Sequence, residues 1–366
     1  MWKYALSGPL AGWLSDRVSP RTVVLSALSF WSVVTAGTAL SHTYSTLVIF
    51  RTLGGLGEAF YFPAAMALIG HYHGPRTRSR AMAFHQTSVY VGTIAGGSVA
   101  GILGERDGWR VSFLVFGGLG VCLALALTLF LRPMMRPHTA SMAKPYQHFR
   151  TSVRSVLRSG PVLVMIGVFV GANFVAVVFL TWLPTFLLNK FHMSLGDAGV
   201  NSTVYLQVAS VIGVVLGGLL ADRFAKAKSG GRQLIQSIGL FCGVPFLFLI
   251  GWSVTVAGLI AGMIGFGFFK GMYDANIWAS LYDVIPVERR GIAAGLMNSF
   301  GWLGGGFAPI IIAAAAQRWG LGICLSASSM IYLVLAAVLL KLAGHLKRNK
   351  DDHPGERNLA SGITLG

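Results

Sequence analysis

The stretch Arg51-Thr-Leu-Gly-Gly-Leu-Gly-Glu58-Ala-Phe-Tyr-Phe-Pro63 sets two ionisable side chains inside a long run that is otherwise free of charge. On a helix seven residues make two turns, so Arg51 and Glu58 point the same way, about 10 Å apart along the axis. Charged groups in hydrocarbon are costly and usually face a bundle interior or a water-filled cavity, where they do work. A structural alternative stands beside that reading. Arg51 could lie near a membrane face and snorkel, or both groups could pair with neighbouring helices.

The rest of the chain supports a membrane setting. Apolar residues make up 54 % of the 366 positions and charged residues 11 %, against about 25 % charged in a soluble domain. Mean hydropathy is +0.66. The 47 glycines suit closely approaching transmembrane helices. Cys122, Cys242 and Cys324 each lie alone in an apolar stretch, which offers neither a disulfide framework nor a metal site.

Stretches long enough to cross a bilayer run over Val23–Leu40, Leu47–Ile69, Ala81–Leu103, Val111–Leu131, Pro161–Leu188, Gly199–Ala221, Leu234–Trp252, Val254–Asp283, Gly291–Ala316 and Leu321–Ala343. Met1–Leu14 is a partial span that runs into Asp16-Arg17. With the Asp16–Arg21 loop cytoplasmic and the spans alternating, only Arg106, Arg110, Lys190 and Arg318 fall outside. Arg51 and Lys270 lie within spans, Lys3 lies near the amino terminus, and every other lysine and arginine falls on the cytoplasmic side. That bias is the topology signal of an inner (plasma) membrane protein with a cytoplasmic carboxyl terminus. It accounts for the net charge of +17 without nucleic acid. The expected organisation is a first bundle over 1–131, a basic cytoplasmic linker over 132–160, a six-helix bundle over 161–346 and a polar, disordered tail over 347–366.

The two groups of spans echo each other. Gly8-Pro-Leu-Ala-Gly12-Trp-Leu-Ser-Asp16-Arg17 returns as Gly217-Gly-Leu-Leu-Ala-Asp222-Arg223, and Arg78-Ser-Arg80-Ala-Met-Ala83 as Glu288-Arg-Arg290-Gly-Ile-Ala293, in the same order and at nearly the same separation. Paired halves suggest a transporter built from internal repeats, with its site at their interface.

The pattern Gly8-x3-Gly12-x3-Asp16-Arg17-x3-Arg21 resembles the loop motif between the second and third helices of the major facilitator superfamily. Three further stretches are similar to its anion:cation symporter family: Arg51-x6-Glu58-x4-Pro63, Asn173-x6-Leu180-Thr-Trp182-Leu-Pro184, and Ala294-Gly-Leu-Met-Asn298-x2-Gly301-Trp-Leu-Gly-Gly-Gly306. The likeness spans roughly residues 4–345. It implies an all-α integral membrane protein of two helical bundles related by a pseudo-two-fold axis, with about 11 of an expected 12 helices present. It also implies alternating access and transport of small organic anions, such as sugar acids or other carboxylates, by symport with protons, or with sodium. Family members carry a whole helix before Met1, so this chain is expected to be a fragment or to have its start placed too far downstream.

Carried over by position, Arg51 would bind substrate or relay its charge, and Glu58 would be the protonatable carboxylate. Trp278, Asn298 and Tyr90 would stand on the cavity wall. Desolvation favours the neutral form of a carboxylate and a nearby guanidinium the ionised one, so such a pair can switch as a cavity opens to each side. A guanidinium also offers a planar fork to a carboxylate. Lys270 sits mid-span, four residues before Asp274. It either pairs with that residue on one helix face or contacts substrate. Gln86 and Asn276 can equally be interhelical hydrogen-bonding groups. Asp16, Arg17, Arg21, Asp222 and Arg223 lie in loops where a carboxylate can sit at a helix amino terminus; the resemblance implies that they gate by latching the halves.

Other functions are disfavoured. A phosphate-ester antiporter of the same fold would place arginine in its seventh helix, and Pro161–Leu188 contains no arginine. A transporter-like receptor or a truncated, non-functional product is the remaining alternative. No nucleophile–base pair suggests an enzyme, no Gly-x4-Gly-Lys-Ser/Thr loop suggests an ATP-driven pump, and no cofactor is expected. His71-Tyr-His73 lacks a neighbouring carboxylate or cysteine, so no metal is expected. The partners are the anion, its coupling ion and the lipid bilayer, and the chain is expected to act as a monomer.

Overall fold

The computed structural model describes residues 2–131 and 149–352. Within these the first half comprises α1 (Trp2–Ser15), α2 (Pro20–Thr38), α3 (Tyr44–Tyr72), α4 (Arg78–Arg106) and α5 (Trp109–Phe130). A short α6 (Phe149–Leu157) leads into α7 (Gly160–Phe191), α8 (Leu195–Ala227), α9 (Gly231–Trp252), α10 (Val256–Asp274), α11 (Ile277–Asp283), α12 (Arg290–Trp319) and α13 (Leu321–Asp352). The fold is all-helical, in two bundles related by pseudo-two-fold symmetry. Eight stretches among the described residues are long and apolar enough to cross a membrane.

The expected span over Val254–Asp283 is one of these, Val256–Asp283, with its helix interrupted between Asp274 and Ile277. Asn276 turns its side-chain amide onto the Met272 carbonyl at 2.9 Å and the Gly217 carbonyl of α8 at 3.1 Å. Its own backbone N–H is then left to bond Tyr273. A side chain that takes the i−4 carbonyl competes with the helix ladder, and α10 gives way to α11 there. The tail also differs from expectation. Lys347–Asp352 continue α13, since lysine and arginine are good helix formers and no proline intervenes before Pro354. Residues 353–366, and 132–148 of the linker, lie outside the described residues. The described part of the linker forms α6, where Phe149 meets Trp13 edge-on at 5.8 Å and Arg150 and Arg154 are exposed.

The halves meet along two seams, α1 against α12 and α4 against α8. Both are built from small residues. A Cβ on Gly295 would stand 3.1 Å from the Gly12 Cα, and one on Gly12 would stand 2.9 Å from the Ile292 Cα. On the other seam, a Cβ on Gly218 would meet the Ala83 methyl at 2.8 Å and the Ser79 carbonyl at 3.2 Å. Backbones this close leave no room for a side chain. We therefore expect Gly295→Val to destabilise the purified protein by about 1–3 kcal/mol, the usual cost of overpacking, read as a lower Tm. Gly118→Val on α5, where a Cβ meets nothing within 4 Å, is the matched control and should leave Tm near the parental value.

Candidate functional site

Between the halves lies a cavity of about 500 Å³. Its wall is drawn from both sides of the molecule: Trp31 of α2, Glu58, Tyr61 and Phe62 of α3, and His85 and Gln86 of α4 on one side. Phe169 and Asn173 of α7, Lys270 and Asp274 of α10, Trp278 of α11, and Asn298 and Trp302 of α12 form the other. The aromatic groups brace one another. Trp278 is buried and lies edge-on to Phe62 at 4.8 Å and to Phe169 at 5.1 Å, so the two halves touch through it. His85 is stacked on Tyr61 at 6.4 Å and meets Phe62 edge-on at 5.9 Å. The Asn173 amide donates to the Gly301 carbonyl at 2.7 Å, tying α7 to α12.

The structure separates the two charges of Arg51–Pro63. Glu58 lines the cavity and is open to it. Arg51 does not line it. The guanidinium of Arg51 is exposed and lies 5.6 Å over the Phe113 ring of α5. The same-face expectation holds for the helix positions, but Cα–Cβ bonds tilt towards a helix's amino end. The long Arg51 side chain covers an aromatic face, a contact worth about 0.5–1 kcal/mol at an exposed site.

Lys270 and Asp274 form the i,i+4 ion pair on α10, and both line the cavity. Tyr90 of α4 does not line it. It is buried behind the pair, its hydroxyl donating to Asp274 and accepting from Lys270 Nζ at 3.0 Å. The Lys270 ammonium also lies 4.9 Å from the Tyr90 ring centroid. Three groups on two halves thus satisfy one another. Asn298 is buried beside Trp302 on the same wall. His85 had no signal in the sequence beyond its place in an apolar run.

At one end of the molecule a carboxylate from each half caps a helix of the other. Asp16, just past α1, accepts from the Gly291 and Ile292 N–H groups of α12 at 2.7 and 2.9 Å. Asp222 of α8 accepts from the Ser79 and Arg80 N–H groups of α4 at 3.1 and 3.0 Å. Tyr282 joins the two places, its ring lying 5.9 Å from the Arg78 guanidinium and 5.1 Å from that of Arg290.

The accompanying basic residues are not all those expected. Arg17 lies 3.8 Å over the Trp13 ring. Arg21 donates to the Leu131 and Thr128 carbonyls at 2.7 and 3.0 Å, within its own half. Arg223 is exposed. The group that holds Asp222 is Arg232 of α9, only 2 % exposed. It donates to Asp222 at 3.0 Å, to both oxygens of Asp283 at 2.8 and 2.6 Å, to Ser79 Oγ at 2.6 Å and to the Pro75 carbonyl. In the sequence Arg232 reads only as one of many cytoplasmic-side charges.

Two outcomes follow from these contacts. Arg232→Met takes the buried guanidinium from the buried Asp222 and should cost about 3–5 kcal/mol, while exposed Arg223→Met should stay within about 0.5 kcal/mol; thermal unfolding of the purified variants compares them. Burial pushes the Asp16 carboxyl up from 3.8 to about 7, against the opposing pull of the Ile292 and Gly291 N–H groups and of Arg17. A raised acid binds its proton more tightly when folded. Its contribution is fully present below 3.8 and is lost as pH rises through about 7. Tm should fall across that window, and Asp16→Asn should remove that part of the fall.

The sequence matches the profile of the Major Facilitator Superfamily over residues 1–309 and 191–361. It is 26 % identical to the probable galactarate/D-glucarate transporter GudP of Escherichia coli, covering 95 % of this chain and 84 % of the relative. It is also 26 % identical to a D-galactonate transporter of Escherichia coli (95 % and 85 % covered), and 24 % identical to the hexuronate transporter of Bacillus subtilis (87 % and 77 %). Among solved structures, the human organic anion transporter MFSD10 superposes with a TM-score of 0.78 at 19 % identity, over 92 % of this chain and 81 % of that one. The Escherichia coli fucose:proton symporter FucP superposes with a TM-score of 0.74 at 14 % identity, over 94 % and 88 %. With its repeated halves, its seams of glycine and its central cavity, the chain belongs to the Major Facilitator Superfamily of membrane transporters.

Proposed function

We propose that the protein is a secondary active transporter of small organic anions of the sugar-acid class, driven by proton symport and working by alternating access. The observation that carries this reading is the cavity wall. An ammonium group, two carboxylates, amides and indole rings face one space between the halves. Amides and hydroxyls suit a polyol, indole faces suit its C–H surface, and Lys270 suits a carboxylate. Relatives named for galactarate, D-glucarate, D-galactonate and hexuronates support the same substrate class.

In this reading Lys270, Trp278 and Asn298 contact the anion, with Tyr90 behind Lys270. Glu58, open to the cavity from α3, takes up the coupling proton. Arg51 is left out of the contact set by its position against Phe113. The halves over 1–131 and 161–346 rock about the cavity. The Asp16 and Asp222 latches hold the cytoplasmic end shut until transport releases them, an orientation that rests on the charge bias of the loops.

Uptake into proteoliposomes tests this. Labelled galactarate, D-glucarate, D-galactonate and D-glucuronate are offered with and without an inward proton gradient. At least one should accumulate with the gradient, and accumulation of none would sink the reading. Glu58→Gln should abolish gradient-driven uptake while counterflow exchange stays measurable; coupled uptake that survives in Glu58→Gln removes Glu58 from the coupling role.

A further inference from the structure

The cavity wall contains a conflict of charge. Among the described residues that line it there is one lysine and no arginine, yet two carboxylates. The lysine is already occupied. Asp274 pairs with Lys270 from one helical turn away, and the Tyr90 hydroxyl closes the triangle by donating to Asp274 and accepting from Lys270. The triangle is largely shielded, with side-chain exposures of 12 % for Lys270 and 18 % for Asp274. A second carboxylate arriving at Lys270 would meet an ionised one already there, in a setting where like charges repel far more strongly than in water.

The neighbours do not relieve this. Tyr273 stands beside Asp274 on α10, Tyr90 faces it from α4 and Tyr332 from α13, all buried phenols. From α9 come Gln236, donating to the Tyr273 carbonyl at 3.5 Å, and Gly239; from α8 come Gly213 and Gly217 against the α10 backbone. Lys270 is the ion-pair partner of Asp274 among the described residues.

We propose that Asp274 is a second proton-accepting carboxylate of the transport cycle, whose protonation releases Lys270 to bind the carboxylate of the substrate. This rests on the organic-anion reading above and goes beyond it, because the proton at Glu58 plays no part in the exchange at Lys270. A proton from water in the cavity joins Asp274, the Lys270–Asp274 ion pair is replaced by a Lys270–substrate pair, and the net charge of the site is conserved. When the anion leaves, Asp274 gives its proton to water on the far side and takes Lys270 back. Tyr90, anchored in the other half, donates to Asp274 in the empty state, so it is a positioning residue.

The test is equilibrium binding to the purified full chain in detergent, followed by tryptophan fluorescence, since Trp31, Trp278 and Trp302 line the cavity. The probes are galactarate and D-galactonate, titrated over a range of pH. Linked uptake of one proton weakens binding about tenfold per pH unit above its midpoint. Asp274→Asn should bind the anion with a pH slope shallower by about one proton, and Lys270→Gln should lose binding at every pH. Tyr90→Phe removes one hydroxyl and no charge, so it keeps the test open where Asp274→Asn does not fold. Without that donor to Asp274, the pH midpoint of binding should move from the parental value. A parental slope in Asp274→Asn, parental binding in Lys270→Gln, or an unmoved midpoint in Tyr90→Phe overturns the proposal alone. A parental chain that answers neither acid at acidic pH overturns both the proposal and the reading on which it rests.

Discussion

Each half of this molecule presents a carboxylate, just past α1 in one and in the last turns of α8 in the other, that completes a helix of the opposite half. A helix amino terminus presents unsatisfied N–H groups and the positive end of its dipole. At the start of α12 and the start of α4 those groups are met by Asp16 and Asp222 from across the seam. Neither terminus is fully capped within its own half, so the two halves are each other's missing part. The glycines then become intelligible. Capping at such range requires the backbones of α1 and α12, and of α4 and α8, to come within contact distance, and only residues without bulk allow it.

The two caps are equivalent in geometry and unequal in surroundings. Asp222 belongs to a buried cluster in which one guanidinium bonds two carboxylates, a hydroxyl and a backbone carbonyl. Asp16 has its two N–H donors, while Arg17 is turned over Trp13. Buried pairs are screened little by salt, exposed ones a good deal. Separation of the halves along α4–α8 therefore has to dismantle a network, whereas separation along α1–α12 breaks two hydrogen bonds to one carboxylate.

Much of this could be read from the amino-acid sequence, and the failures have a common cause. Hydropathy and glycine content set the class, loop charge suggested the topology, and the Gly-x3-Asp-Arg step shared by Gly12–Arg17 and Gly218–Arg223 marked the two carboxylates that cap across the seam. These signals are local or periodic. The place of the Arg51 guanidinium over Phe113 was not legible because helical spacing fixes the direction of a Cβ and not the path of a long side chain beyond it. Arg232 was missed because a guanidinium in a basic loop looks the same whether it faces water or binds four partners. His85 and the break at Asn276 depend on what α3 and α8 bring to them, which no single stretch records.

The wall of the cavity shows why charge balance matters more here than charge count. A lone buried ammonium would be costly at this depth, so an empty site needs a counter-ion of its own, and Asp274 supplies it from one turn away. The same counter-ion competes with any anionic substrate for the same ammonium. Tyr90 makes the competition depend on the relation between the halves, because it reaches the pair from α4 while the pair belongs to α10. Any motion that draws α4 away from α10 removes a donor from Asp274 and loosens its hold on Lys270. The empty site and the loaded site are then two settlements of one charge problem, and the position of α4 decides between them.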